Sequence, residues 1–174
     1  MEVIEIHQPE LIHGQLTELL QNCVADGASI GFLPPLSTEE ASDYWLGVAA
    51  ELGENRKLWV AKQGRQIIGT VQLSLCGKRN GSHRAEVEKL MVHTQARGQG
   101  AGRALMVAAE AQCAALNRTL LVLDTREGDV ASELYKKLDY VEAGRIPEFA
   151  RSASGTLDAT IYFYKQIEAS RILQ

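Results

Sequence analysis

No stretch of 18 apolar residues occurs in the sequence, and no positively charged start leads into an apolar run. Neither a membrane-spanning helix nor a secretory leader is therefore predicted. Cysteine is scarce: Cys23, Cys76 and Cys113 are far apart, odd in number and without C-x-x-C spacing. That excludes a disulfide framework and points to reduced thiols in a cytoplasmic protein. A basic excess is also missing, with 18 Lys and Arg against 22 Asp and Glu and a net charge of -4. The basic residues are dispersed except at one turn, so no nucleic-acid partner is expected. His83 and His93 lack the H-x-x-x-H pattern or a paired carboxylate, read as surface residues, and leave no metal set. No repeat, linker or low-complexity tract interrupts the chain. With 45% hydrophobic content, its 174 residues suffice for one buried core and are short for two, so a single domain over residues 1–174 is expected.

The most informative stretch runs from Glu86 to Arg103, EVEKLMVHTQARGQGAGR. Val87, Leu90, Met91 and Val92 give it a strand-like beginning. Gly98, Gly100 and Gly102 follow, and then Ala101, Ala104, Leu105, Met106 and Ala108 open a helical pattern. A strand thus feeds a glycine-rich turn at a helix start. Glycine permits φ > 0 and lets a ligand approach the backbone. The unpaired N–H groups and the positive end of the helix favour a phosphate there, with Arg97 and Arg103 beside it. The spacing fits neither the dinucleotide G-x-G-x-x-G nor a Walker A loop, which needs G-K-[ST].

The rest of the chain divides readily. Val3, Ile4 and Ile6 form a first strand; apolar residues from Leu11 to Val24 recur at helical spacing, with a stop at Gly27. The segment Gly27 to Leu36 is a loop carrying Phe32. Ser37 caps a second helix through Leu52. Phe32, Tyr44 and Trp45 either line a ligand pocket or belong to the core. Lys57–Gln63 and Gln66–Leu75 form a hairpin whose second strand, with Thr70, Gln72 and Ser74 alternating against apolar residues, reads as half-polar. Another turn leads into the strand before the glycines. After the helix Ala101 to Leu116, Thr119–Leu123 reads as a strand buried on both faces and ends at Asp124. Asp129 is placed to cap a helix over Val130–Leu138, and Tyr140–Ile146 and Thr160–Ile167 read as closing strands.

The L-x-V strand end, Leu90 to Val92, followed by R-x-x-G-x-G, Arg97 to Gly102, resembles the acetyl-coenzyme A signature of the GNAT acetyltransferase superfamily. The element order β, α, α, β, β, β, α, β, α, β, β and the pattern A-x-x-L-Y-x-x-L-x-Y from Ala131 to Tyr140 resemble it too. In more detail, GASIGF at 27–32, QLSLC at 72–76, RAEVEKLMV at 84–92 and ATIYF at 159–163 resemble the tabtoxin resistance acetyltransferases. The resemblance implies a mixed α/β (α+β) fold. Its central sheet is mostly antiparallel and flanked by helices, and the signature strand and the next run parallel and splay.

It also implies acetyl transfer from acetyl-CoA, as cosubstrate, directly to a primary amine of a small, amino-acid-like molecule, with no metal. Detoxification of an antimetabolite is the specific expectation. A protein N-terminal or lysine acetyltransferase, or a silent acyl-CoA sensor, are the alternatives. By resemblance, the backbone of Leu90, Met91 and Val92 binds the acetyl and pantetheine arm, with the N–H near Met91 as oxyanion donor. Arg97, Gly98, Gln99, Gly100, Ala101, Gly102 and Arg103 hold the pyrophosphate. Tyr135 falls where many relatives place a tyrosine near the coenzyme sulfur and is the candidate general acid. One of Glu86 and Glu88 is the expected base, with Glu86 preferred and Glu88 otherwise assisting substrate binding alongside Phe32. Asp124 either faces the same cleft or caps the next turn. Gly128 stands where the family often has a pantetheine-contacting asparagine. The late strands leave a homodimer open.

Overall fold

The computed structural model describes residues 1–169, which build one seven-stranded sheet covered by helices on both faces. The strands are β1 (Glu2–Glu5), β2 (Arg56–Gln63), β3 (Gln66–Leu75), β4 (Arg84–Val92), β5 (Leu120–Arg126), β6 (Val141–Arg151) and β7 (Leu157–Gln166). The helices are α1 (His13–Ala25), α2 (Thr38–Glu51), α3 (Ala101–Ala115) and α4 (Ala131–Lys137). The sheet order is β1-β2-β3-β4-β5-β7-β6, and only β4 and β5 run parallel. Two apolar clusters fill the layers. Leu16, Leu19, Leu20 and Trp45 of α1 and α2 pack on Leu58, Val60 and Met91, while Leu105, Met106 and Ala109 of α3 pack on the opposite face with Leu121 and Phe163.

Local chemistry sets the element ends. Ser37 and Glu40 form a reciprocal capping box at the start of α2, satisfying two backbone donors that the helix itself cannot pair. At α1 the helical pattern begins as a 3-10 turn, Pro9–Ile12, before the helix proper starts at His13.

Four expectations are corrected. The β3 strand is buried on both faces because α1 and α2 cover its polar side. Thr70 and Gln72 are fully buried there and are satisfied: Thr70 donates to the Trp59 carbonyl at 2.8 Å, and Gln72 donates to the Tyr44 hydroxyl at 2.8 Å. Asp129 does not cap α4; its carboxylate is taken by Arg126 Nε and Nη2 at 3.0 and 2.8 Å. The two closing strands are longer than Tyr140–Ile146 and Thr160–Ile167 and meet in one extended hairpin. In β5, Leu121 and Leu123 are buried on the α3 side, but Leu120 and Val122, which alternate to the opposite face with Glu86, are only half so.

Candidate active site

Two parallel strands part to make the site. β4 and β5 pair only at Arg84–Leu120, Ala85–Leu121 and Glu86–Val122. Beyond that, β4 stays on β3, where two residues, Lys89 and Leu90, face the single Val71, and Lys89 takes a left-handed φ of 53°. This bulge bends the strand away from β5 and opens a gap. The His93 N–H donates to the Ile68 carbonyl at 2.8 Å. Antiparallel alternation then turns the Met91 N–H towards β3 as well, so the amide facing the gap belongs to Val92.

Glu86 and Glu88 lie two apart before the bulge and share the α2 face with their β3 partners Ser74 and Gln72. Asp124, two residues past the last paired Val122, projects to the same face from β5. Burial pushes the Glu86 carboxyl above its usual range, and the negative charges of Glu88 and Asp124 push it further. Glu88 is not free. Arg56 Nη1 holds it at 2.7 Å while donating to Gln72 Oε1 at 2.9 Å, and Arg56 Nε pairs with Glu51 at 2.7 Å. Asp124 Oδ2 accepts the Thr160 hydroxyl at 2.7 Å, which ties the carboxylate to β7. Tyr162 stands opposite Asp124 in the β5–β7 register. Burial, then Asp124 and Glu86, raise its phenol.

Tyr135 lies in the apolar cluster on the other face of the sheet. It sits on α4, 5% exposed, packed against Tyr140 and Phe163 with ring centroids 5.8 and 5.9 Å away. Burial first, then Asp124 and Asp129, hold its phenol well above the usual tyrosine range, so it remains a proton donor at neutral pH.

The glycine turn lies at the far end of β4. Gly98 and Gly100 have φ of 74° and 86°, and a Cβ on either would meet nothing within 4 Å, so the concave side is open. Gly100 precedes the first turn of α3, closed by Ala104 N–H to the Gly100 carbonyl at 3.0 Å; the N–H groups of Ala101, Gly102 and Arg103 have no intrahelical acceptor. Gly102 permits close packing, since a Cβ there would stand 3.3 Å from Leu134 Cδ2. Gln99 and Arg103 are exposed beside the turn. Arg97 is exposed too but is shared with Asp26 of the α1 terminus, Nη1 to Oδ2 at 2.6 Å. Asn22 bonds Thr94 twice at 3.0 Å, so α1 braces the loop leading into the turn. These open amides, dipole end and cations fit a pyrophosphate.

The three aromatic candidates separate. Trp45 is wholly buried, whereas Phe32 and Tyr44 are half-exposed and meet edge to face at 5.2 Å beside the acidic face. Sequence reasoning missed Arg56, Gln72, Lys89, Thr160 and Tyr162. Strand alternation from Glu88 could have found Gln72; nothing in the sequence signals the bulge at Lys89.

A family model described as an acetyltransferase (GNAT) domain matches residues 54–142, just over half the chain. Among solved structures, a ribosomal-protein-alanine N-acetyltransferase from Brucella melitensis is similar at 17% identity, with a TM-score of 0.77 over 94% of this chain and 99% of that one. An N-acetyltransferase from Staphylococcus aureus Mu50 is similar at 12% identity, TM-score 0.79, over 95% and 99%. The protein yncA from Salmonella typhimurium, solved with its cofactor acetyl-CoA, is similar at 15% identity, TM-score 0.76, over 99% and 98%.

Proposed function

Since the chain belongs to the GNAT acetyltransferase family, we propose that it moves the acetyl group of acetyl-CoA directly to the primary amine of a small, amino-acid-like molecule. The observation that carries this reading is the cluster of Glu86, Glu88 and Asp124 on the α2 face of the β4–β5 gap, opposite Tyr135. A cationic amine suits that acidic mouth.

When bound, acetyl-CoA supplies an already activated thioester, so the chain needs no nucleophile of its own. Gly98 to Arg103, with Arg97, would hold the pyrophosphate, and the backbone of Leu90 to Val92 would bind the arm, with the gap-facing amide of Val92 stabilising the carbonyl oxygen as it gains charge. Glu86, with its raised pKa, takes the proton from the acceptor ammonium directly or through a water. Asp124, pinned by Thr160, draws the ammonium into place. Tyr135 gives its proton to the departing thiolate. Phe32 and Glu88 shape the acceptor wall. With Gly128 in place of the family's asparagine, the arm loses one side-chain amide contact.

Detoxification of an amino-acid-like antimetabolite is the specific role we favour, supported by the stretches at 27–32, 72–76, 84–92 and 159–163. The free thiols of Cys23, Cys76 and Cys113 suit a cytoplasmic setting, and the exposed Val141, Ile146 and Phe149 on edge strand β6 suit a homodimer. Acetyl-CoA-dependent thiol release tests the reading on a panel of amino acids, dipeptides, polyamines and a lysine-rich peptide. Turnover on a free amino-acid-like amine supports it; turnover on the peptide alone, or none despite coenzyme binding, overturns it.

A further inference from the structure

Beside the acidic mouth lies a cavity of about 230 Å³ between the Gly27–Pro34 loop and the β6–β7 hairpin, lined in part by Gly31, Phe32, Arg126 and Arg151. Its polar character is opposite to that of the mouth. Arg126 follows Asp124 by two residues and so shares its face of β5. Arg126 is engaged by Asp129, and Arg151 by the Gly155 carbonyl at 2.8 Å. Lys89 is different. The bulge gives its backbone a φ of 53° and brings Nζ to 3.2 Å from the position a Cβ would take on Gly31, at the cavity wall. The side chain is half-buried, and its ammonium has no ion-pair partner within 4 Å among the described residues, although Glu86, Glu88 and Asp124 are within electrostatic reach. Burial above all depresses its pKa, and the charges of Glu88, Asp124 and Glu86 offset that only in part.

We infer that Lys89 is the anion-binding residue of the acceptor site, seating a carboxylate of the acceptor at the mouth of the Gly31–Arg126 cavity while the acceptor's amine faces Glu86 and Asp124. The inference rests on the small-amine reading above and deepens it: the acceptor is a zwitterion, not a plain amine. A half-buried ammonium unpaired among the described residues gains a charge-assisted contact when a carboxylate arrives, whereas a polyamine brings a second positive charge to it. Gly31 keeps this approach open, because a side chain there would meet Lys89 Nζ.

The test compares ornithine and lysine with putrescine and cadaverine, their decarboxylated counterparts, on the whole protein and on Lys89→Gln. Binding is read from the amide resonance of Gly31 and transfer from thiol release. The wild type should favour each amino acid over its decarboxylated partner about tenfold or more in kcat/KM. In Lys89→Gln that ratio should collapse towards one through a raised KM for the amino acid, with acetyl-CoA affinity by calorimetry confirming a folded variant. Equal use of both acceptor types by the wild type, or a ratio unaltered by Lys89→Gln, overturns the subsite and leaves the small-amine reading standing. Failure of every small acceptor to bind or react, with acetyl-CoA still bound, overturns both.

Discussion

Thr160 donates its hydroxyl to Asp124 at 2.7 Å, from a position in β7 that is itself buried. A carboxylate at the lip of an open gap is thereby held in one orientation by a group that touches no substrate. Thr160→Val keeps the shape and removes the donor. The expected outcome is a kcat/KM for the amine about three- to tenfold lower, with acetyl-CoA affinity unaltered, read by steady-state kinetics and calorimetry.

Glu86 must be unprotonated to act as base, so kcat/KM should climb with pH through a pKa above the ordinary carboxylate value. Removing a neighbouring negative charge lowers that pKa. Asp124→Asn should therefore move the acid limb of the pH profile to lower pH, while Glu86→Gln removes the limb and costs about a hundredfold or more in rate.

The same residue links function to stability. Because the folded-state pKa of Glu86 is raised, the ionised carboxylate disfavours the folded state above the ordinary carboxylate pKa. Glu86→Gln should melt at a higher temperature than the wild type at neutral pH. The difference should shrink as pH falls below that value, where both states carry the proton. Melting curves across pH read it directly.

Gly100 tests the cradle. At φ 86° a side chain strains the backbone, and the space its Cβ would enter is open in this structure. Gly100→Val should weaken acetyl-CoA binding about a hundredfold or more while the chain stays folded, since nothing within 4 Å opposes the Cβ. Unchanged affinity by calorimetry would place the pyrophosphate elsewhere.

Tyr135→Phe removes only the hydroxyl and keeps the ring that packs on Tyr140 and Phe163. Rate should fall about a hundredfold with acetyl-CoA affinity retained. An equal loss of affinity would instead make Tyr135 a wall of the coenzyme site.

Much of this architecture was legible because its signals are local. The glycines after L-x-V, the Ser37 cap and the two hairpins each rest on a few adjacent residues. What escaped depends on residues distant in sequence. The polar side of β3 looked solvent-facing because alternation reports polarity, not burial, and Gln72 is polar in order to join Arg56 with Tyr44 under α2. Asp129 looked like a cap until Arg126 claimed it. The ion pair of Glu88 escaped because Arg56, 32 residues earlier, gives no sign of reaching it. A lysine in a strand carries no mark of a left-handed bulge, yet that bulge opens the gap and aims Lys89.

The most direct measurement is a competition: the protein, acetyl-CoA, a mixture of free amino acids and a lysine-rich peptide in one vessel, with the products followed by mass spectrometry. The account predicts acetyl on a free amino acid, none left on the protein as an intermediate, and the peptide untouched. Acetyl confined to the peptide, or coenzyme bound with no acetyl moved at all, would contradict it.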